Sequence, residues 1–83
     1  MKKLLYFTAE WCGPCKLLKP KMQELATKIP ITYIDVDASS TTANYYHVRS
    51  IPCIILIDEY GSEQGRLVGN SVSVQTVNEL YNR

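Results

Sequence analysis

Two cysteines, Cys12 and Cys15, are the side chains of this sequence best suited to covalent chemistry, and Gly13 and Pro14 stand between them. Cysteines at this spacing close a small disulfide ring with little backbone movement when the first lies at a helix N-terminus and the second one turn inside it. Unpaired amide groups and the positive end of the helix dipole favour a thiolate on Cys12. The spacing therefore predicts a dithiol that cycles with a disulfide, in which Cys12 attacks and Cys15 resolves.

A Cys-x-x-Cys pair also occurs as half of a zinc site or as a structural pair, so the surrounding sequence has to decide. The apolar residues 3–8 precede the motif and predict a strand buried on both faces. A helical pattern follows the motif, and Gly13-Pro14 gives a rigid turn into that helix. A strand followed by a helix is the setting in which such a pair is redox-active, so we favour redox chemistry.

The composition, with 46% hydrophobic and 20% charged residues, predicts one small globular domain over residues 1–83. The formal net charge is +1 with both signs spread along the chain, which argues against nucleic acid and membranes as partners. Three cysteines are too few for a disulfide-stapled secreted scaffold, and they fit the reducing cytoplasm. Lys2 and Lys3 resemble the start of a secretory signal, but the apolar run ends at Glu10 without a cleavage site.

Apolar residues recur after the motif at three- and four-residue spacing, which predicts an amphipathic helix. They are Cys15, Leu18, Met22, Leu25 and Ile29. Pro20 should kink this helix, and Pro30 bars its continuation.

The rest of the chain predicts further elements that complete the order βαβαββα. They are a strand at residues 31–36, a short helix at 41–47, a strand at 53–57, a turn at 58–61, an edge strand at 65–68 and a helix capped by Ser73. In that last helix, Val74, Val77, Leu80 and Tyr81 fall on one face. The right-handed crossover rule makes the first two strands parallel neighbours.

The chemistry-bearing residues resemble those of the thioredoxin family. The resemblance rests on Trp11-Cys12-Gly13-Pro14-Cys15-Lys16, on Pro20 in the following helix and on Ile51-Pro52 before an apolar strand. It covers nearly the whole chain, but the extra N-terminal strand and helix of full-length thioredoxins are missing, as in a minimal, glutaredoxin-sized version. It implies a thioredoxin-like α/β fold, in which a four-stranded mixed sheet is flanked by three helices.

The same resemblance implies a function and its partners. The chain would reduce protein disulfides as a monomer, without a metal or organic cofactor besides the Cys12–Cys15 disulfide. Its electrons would come from a flavin- and NADPH-dependent thioredoxin reductase.

The resemblance also implies which residues meet the target protein. They are Trp11, Gly13, Pro14, Ile51, Pro52 and Gly69. Pro52 would be cis and pack against the dithiol, so that Ile51 offers its backbone to an extended target segment; an ordinary trans proline is the alternative. Trp11 would anchor partners, with a lid on the adjoining loop as its alternative role. Gly69 would let a partner backbone approach closely, or it simply ends a strand.

Two positions depart from the family pattern. Tyr6 and Tyr33 stand where full-length thioredoxins usually have a buried aspartate and a lysine. A phenol is a poor base near neutral pH, so we expect resolution by Cys15 to be slower or more dependent on pH. The alternative is that both tyrosines are core aromatics whose hydroxyls find partners.

The other titratable residues are expected to be buried, solvent-facing or capping residues, with a regulatory role as the alternative for Cys53. Cys53 follows Pro52 directly, so we expect it near the dithiol, either as a small buried thiol or as a regulatory third sulfur. A Cys₃His zinc site that includes His47 is disfavoured by the ligand spacing, and His47 is expected at a solvated helix end. Asp35 and Asp37 are expected to face solvent or to cap a turn.

Three further functions remain as alternatives to disulfide reduction through a thioredoxin reductase. The first is a glutathione-dependent, glutaredoxin-like redoxin, although Gly69-Asn70 replaces the paired glycines usual there. The second is a binding module that uses the Trp11, Ile51 and Gly69 surface without catalysis. The third is binding of a metal or an iron–sulfur cluster through the same thiols.

Overall fold

Strands and helices alternate along the first part of the chain, and a hairpin and a last helix follow. The structure, a computed structural model, describes all residues from Met1 to Arg83. Its elements are β1 (Lys3–Thr8), α1 (Gly13–Leu25), β2 (Ile31–Asp35), α2 (Ser40–Tyr45), β3 (Cys53–Ile57), β4 (Glu63–Val68) and α3 (Val74–Tyr81), with a 3₁₀ turn at Gly69–Ser71. The predicted order βαβαββα is confirmed.

The four strands form one mixed sheet in the order β2-β1-β3-β4. β1 and β2 are parallel, as the crossover rule predicts, and β3 runs antiparallel to both β1 and β4. β1 and β3 therefore lie at the centre and are covered on both faces, while β2 and β4 are the edges. The register places Tyr6 directly beside Tyr33.

Helices cover both faces of the sheet because side chains along a strand alternate between its faces. The side with α1 and α3 holds a cluster of Leu4, Tyr6, Met22, Leu25, Ile54, Leu56, Val72, Val77 and Leu80. The side with α2 holds Leu5, Phe7, Ala43, Cys53, Ile55 and Ile57. The predicted four-stranded sheet flanked by three helices is confirmed.

Helix α1 ends at Leu25, before the point that its apolar spacing predicts. The amide groups of Thr27 and Lys28 donate to carbonyls three residues earlier, at 3.2 and 2.9 Å, so the chain tightens into turns. Ile29 still packs against the core from this turn. The apolar spacing therefore runs past the end of the helix. Pro20 lies inside α1, as predicted.

Smaller corrections concern the last third of the chain. β4 begins at Glu63, two residues before the predicted edge strand, and a register shift between Leu56 and Ile57 accompanies the longer hairpin. Ser73 caps α3 through a reciprocal pair of hydrogen bonds with Thr76, as its type predicts. Val74, expected on the apolar face, is exposed at the first turn of α3. No helix has both the length and the apolar character that crossing a membrane requires.

Candidate active site at the start of the first helix

A disulfide joins Cys12 and Cys15 at the N-terminus of α1, with Cα atoms 5.2 Å apart. Cys12 is the N-cap, with extended backbone angles of φ −84° and ψ 106°, and Pro14 stands in the first turn. The backbone N–H of Cys15 donates to the Sγ of Cys12 at 3.2 Å. The sulfur of Cys12 thus lies where the helix presents an amide donor and the positive end of its dipole, as the spacing predicts.

Both sulfurs of the oxidised ring are largely covered. Cys12 is 5% exposed and Cys15 1%, and both pack with Ala9. Val36 and Ile51 close over this cluster. Cys12 is therefore slightly more exposed than Cys15, and these apolar neighbours cover both sulfurs.

Exposed residues surround the buried sulfurs. Gly13 and Pro14 are exposed, and Trp11 is exposed over 68% of its surface. The indole Nε1 of Trp11 donates to Oδ2 of Asp37 at 2.8 Å, which fixes the ring on the loop after β2. Trp11 is therefore an exposed aromatic ring held on the adjoining loop, and its role as an anchor for partners stays a prediction.

The hydrogen bond between Trp11 and Asp37 was not predicted from the sequence. A usable signal was present, because Trp11 follows β1 and Asp37 follows β2. The carboxyl ends of parallel neighbouring strands lie together at one end of the sheet, and open α/β folds bind their ligands at that end.

Two loops meet beside the dithiol. The Ile51–Pro52 peptide bond is cis, as the resemblance implied, and Ile51 packs against the disulfide cluster. The carbonyl of Pro52 accepts a hydrogen bond from the backbone N–H of Gly69 at 2.8 Å. Gly69 has φ of +60° at the end of β4, and nothing lies within 4 Å of the place a Cβ would take. The backbone angle of this strand-ending turn accounts for the glycine.

Tyr6 and Tyr33 have different environments, so the interpretation of both as core aromatics is only half right. Tyr6 is buried, its hydroxyl donates to the carbonyl of Cys15 at 3.4 Å, and burial raises its pKa. Tyr33 contacts Tyr6 edge to face at 5.7 Å but is 41% exposed, because β2 is an edge strand. Together they line a groove of about 610 Å³ that also reaches Cys15.

Cys53 does not join the dithiol cluster, although Val36 and Ile51 pack against both clusters, so the expected proximity is not contradicted. Cys53 is buried in the cluster on the α2 side of the sheet, with Phe7 and Ile55 among its members, while the dithiol belongs to a separate cluster. Burial raises the pKa of the Cys53 thiol. The interpretation as a small buried thiol is confirmed, because the position of Cys53 at the start of β3 sends its side chain into that face.

The remaining titratable residues behave as expected. His47 is exposed at the end of α2, with φ of 55°. Oδ1 of Asp35 accepts the amide N–H groups of Asp37 at 2.8 Å and Ala38 at 3.2 Å, so Asp35 caps the turn. No group of three or more His, Cys, Asp or Glu side chains is arranged to hold a metal ion.

A dithiol at a helix N-terminus, beside a cis-proline loop on a four-stranded mixed sheet, defines a thiol–disulfide oxidoreductase with the thioredoxin fold. The sequence matches the family model described as Thioredoxin over residues 1–81, and the chain belongs to the thioredoxin family. The predicted family, fold and type of activity are confirmed.

Curated relatives and solved structures agree with this assignment. The thioredoxin of Chlamydia trachomatis is 46% identical over 69 residues, which cover 80% of this chain and 67% of the relative. That of Mycobacterium tuberculosis is 37% identical over 81 residues, covering 93% and 69%. The crystal structure of Schistosoma mansoni thioredoxin has a TM-score of 0.87 at 32% identity, covering 98% of this chain and 74% of that one. For a mutant thioredoxin from Halobacterium salinarum, the TM-score is 0.85 at 32% identity, with 95% and 70% covered.

Proposed function

We propose that this chain reduces disulfides in proteins through two successive exchanges, with Cys12 as the attacking sulfur and Cys15 as the resolving one. The position of the Cys12 Sγ at the N-cap of α1, where it accepts the Cys15 N–H at 3.2 Å, is the observation that carries the proposal. A sulfur held there is favoured as a thiolate once the ring is reduced. The deeper burial of Cys15 supports its role as the second sulfur.

In the first exchange the Cys12 thiolate attacks one sulfur of the target disulfide. The target S–S bond breaks, a bond between Cys12 and the target forms, and the other target sulfur leaves as a thiolate that takes up a proton. In the second exchange Cys15 loses its proton and attacks the sulfur of Cys12. This closes the ring and releases the second target sulfur, so two electrons pass to the target and no cofactor takes part.

The target protein would bind on the exposed surface around the sulfurs. We assign Trp11, Gly13, Pro14, Ile51, Pro52 and Gly69 to this surface. Trp11 supplies an exposed aromatic ring held by Asp37, and the open space around Gly13 and Gly69 lets a partner backbone approach. Ile51 would pair with an extended target segment through its backbone, as a short added strand.

The dithiol has to be recharged after each turnover, and we assign this step to a thioredoxin reductase. A reducing compartment such as the cytoplasm fits the family, and we propose that residues 1–83 act as one domain and as a monomer.

A comparison of electron donors tests the assignment of a thioredoxin reductase. The oxidised protein is mixed either with NADPH and a thioredoxin reductase or with reduced glutathione, and insulin reduction is followed by turbidity. Faster insulin reduction with glutathione would contradict the assignment of a thioredoxin reductase and would support the glutaredoxin-like alternative.

Three cysteine variants test the mechanism. We expect Cys12→Ser to lose all insulin reduction, because no attacking sulfur remains. Cys15→Ser should stop after the first exchange and hold the target covalently on Cys12, which mass spectrometry detects. Cys53→Ala is the matched control and should remain active, since Cys53 packs in a separate cluster. Insulin reduction that persists in Cys12→Ser would overturn the proposal.

A further inference from the structure

A groove of about 420 Å³ extends from Trp11 along the segment before the cis-proline. Its lining residues are Trp11, Val36, Val48, Arg49, Ser50 and Ile51. Val36 and Ile51 also pack against the cluster that holds Cys12 and Cys15, so one end of the groove lies at the disulfide. A target segment bound at the dithiol would therefore continue into this groove.

Arg49 gives the groove its charge. Its side chain is exposed, and it is the only charged residue in the lining. The two ion pairs of the molecule join the N-terminus to Glu59 and Arg66 to Glu63, so neither occupies Arg49. The groove therefore combines an apolar wall with a guanidinium group that has no carboxylate partner within the chain.

A second groove that Trp11 also lines carries the opposite charge. It has a volume of about 570 Å³ and is lined by Glu10, Trp11, Lys16, Asp35, Asp37 and Ala38. Its lining includes three carboxylates and one ammonium group, so its formal charge is negative. Because Trp11 lines both grooves, a groove whose one charge is cationic and a groove with excess carboxylates adjoin at this residue.

We infer that Arg49 makes the protein prefer target disulfides that have an acidic residue near the attacked cysteine. This aspartate or glutamate would lie within about two residues of that cysteine, in the part of the target segment that enters the Arg49 groove. The inference rests on the proposed function, because it requires a target segment bound at Ile51. In an extended segment, side chains two residues apart lie about 7 Å apart on the same face, so a flanking carboxylate reaches a groove next to the sulfurs. Guanidinium groups bind carboxylates with paired, charge-assisted hydrogen bonds. A carboxylate that entered the second groove would meet an excess of like charge.

Disulfide-bridged peptides that differ only in their flanking charge test this inference. The peptides carry Glu, Gln or Lys two residues from the attacked cysteine, either before it or after it. The pre-reduced protein is mixed with each peptide, and the second-order rate constant of thiol loss is measured, so that no reductase is needed. We expect one of the two Glu peptides to react about two- to fivefold faster than its Lys counterpart. The difference should disappear at about 1 M salt, where charges are screened within about 3 Å.

Variants at position 49 test whether Arg49 causes the preference for acidic peptides. Arg49→Gln should abolish the preference for Glu, Arg49→Glu should reverse it, and Arg49→Lys, which keeps the charge, should retain much of it. Lys28→Gln removes the same charge beyond the far end of α1, about 20 Å from the dithiol, and should leave the preference intact.

The outcomes separate the two proposals. Equal rate constants for Glu and Lys peptides, or a preference that survives in Arg49→Gln, would overturn the role of Arg49 while the proposed function stands. If the protein with its native Arg49 fails to reduce even the Gln peptides, the proposed function itself is overturned.

Discussion

The two sulfurs of the active site differ because one caps a helix and the other lies inside it. The Cys12 Sγ accepts an amide hydrogen bond at 3.2 Å, and Cys15 is covered more completely. A thiolate is therefore favoured on Cys12, the sulfur that we propose as the attacking one. The second exchange has a different requirement, since Cys15 must lose a proton. The titratable side chain hydrogen-bonded to the Cys15 backbone carbonyl is the phenol of Tyr6.

Tyr6→Phe should leave the pH dependence of target release unchanged. Burial raises the pKa of Tyr6, so its hydroxyl stays protonated at neutral and mildly alkaline pH and cannot accept the Cys15 proton. Release from the mixed disulfide should become faster with rising pH in both proteins, because the proton passes to water. Rapid-quench measurements of release between about pH 6 and about pH 9 check this.

The same variant also isolates the structural role of the hydroxyl. Its bond to the Cys15 carbonyl is long, at 3.4 Å, so its loss should cost no more than about 1.5 kcal/mol of unfolding free energy. A pH profile that flattens in Tyr6→Phe, with stability preserved, would mean that the phenol does carry the proton.

Cys53 should be inert toward thiol reagents while the protein is folded. It is the one free cysteine, it is buried, and burial raises its pKa, so the thiolate that reacts is scarce. Labelling of the oxidised protein with iodoacetamide at neutral pH should modify no thiol in buffer and Cys53 in denaturant. The unfolding free energy should also fall as pH rises past the ordinary thiol pKa, because the unfolded chain then releases a proton that the folded chain keeps. Rapid labelling of Cys53 by iodoacetamide in buffer would contradict its inertness and support the alternative interpretation of Cys53 as a regulatory third sulfur.

At the scale of elements, the sequence predicts best where the signal is local or covers both faces of a strand. The central strands β1 and β3 have the predicted bounds because they are apolar on both faces. The start of α1 was predictable because capping by Cys12 depends only on its neighbours. The end of α1 and the start of β4 were not, since packing of Ile29 and the bulge after Leu56 are set by contacts with other elements.

Gly65→Ala should weaken the packing of β4 against α3. A Cβ at Gly65 would lie 2.9 Å from Cδ1 of Leu80, a buried side chain that cannot move away freely. Such overpacking costs about 1–3 kcal/mol of unfolding free energy, which urea denaturation measures. Gly13→Ala is the matched control for stability, because nothing lies within 4 Å of its Cβ position, and it should show no loss. Equal stability of the two variants would contradict this account of the β4–α3 contact.

At the scale of the whole molecule, the candidate active site depends on four segments that meet at one end of the sheet. They are the carboxyl ends of β1 and β2, the loop before β3 and the loop after β4. The motif predicted the dithiol, but the bond from Trp11 to Asp37 and the groove beside Arg49 join residues far apart in the chain. The cluster that Cys53 joins was also not predictable from the motif. Cys53 is close to Pro52 along the chain, but the alternation along β3 places its side chain in the cluster on the α2 side and not in the dithiol cluster.

Leu80→Ala should destabilise the entire molecule, because one small domain has little stability to lose. Leu80 is 2% exposed and packs in the cluster that α1 and α3 form against the sheet, so its truncation should cost about 2–5 kcal/mol of unfolding free energy. A domain of this size has about 5–15 kcal/mol in total, and the loss should lower Tm by roughly 8 °C or more. Leu17→Ala makes the same change at a side chain that is 78% exposed and should shift stability by less than about 0.5 kcal/mol. Thermal unfolding of both oxidised variants, followed by circular dichroism, compares them directly. Similar Tm values for the two would show that α3 adds little to the core and that the sheet with α1 and α2 holds the active site by itself.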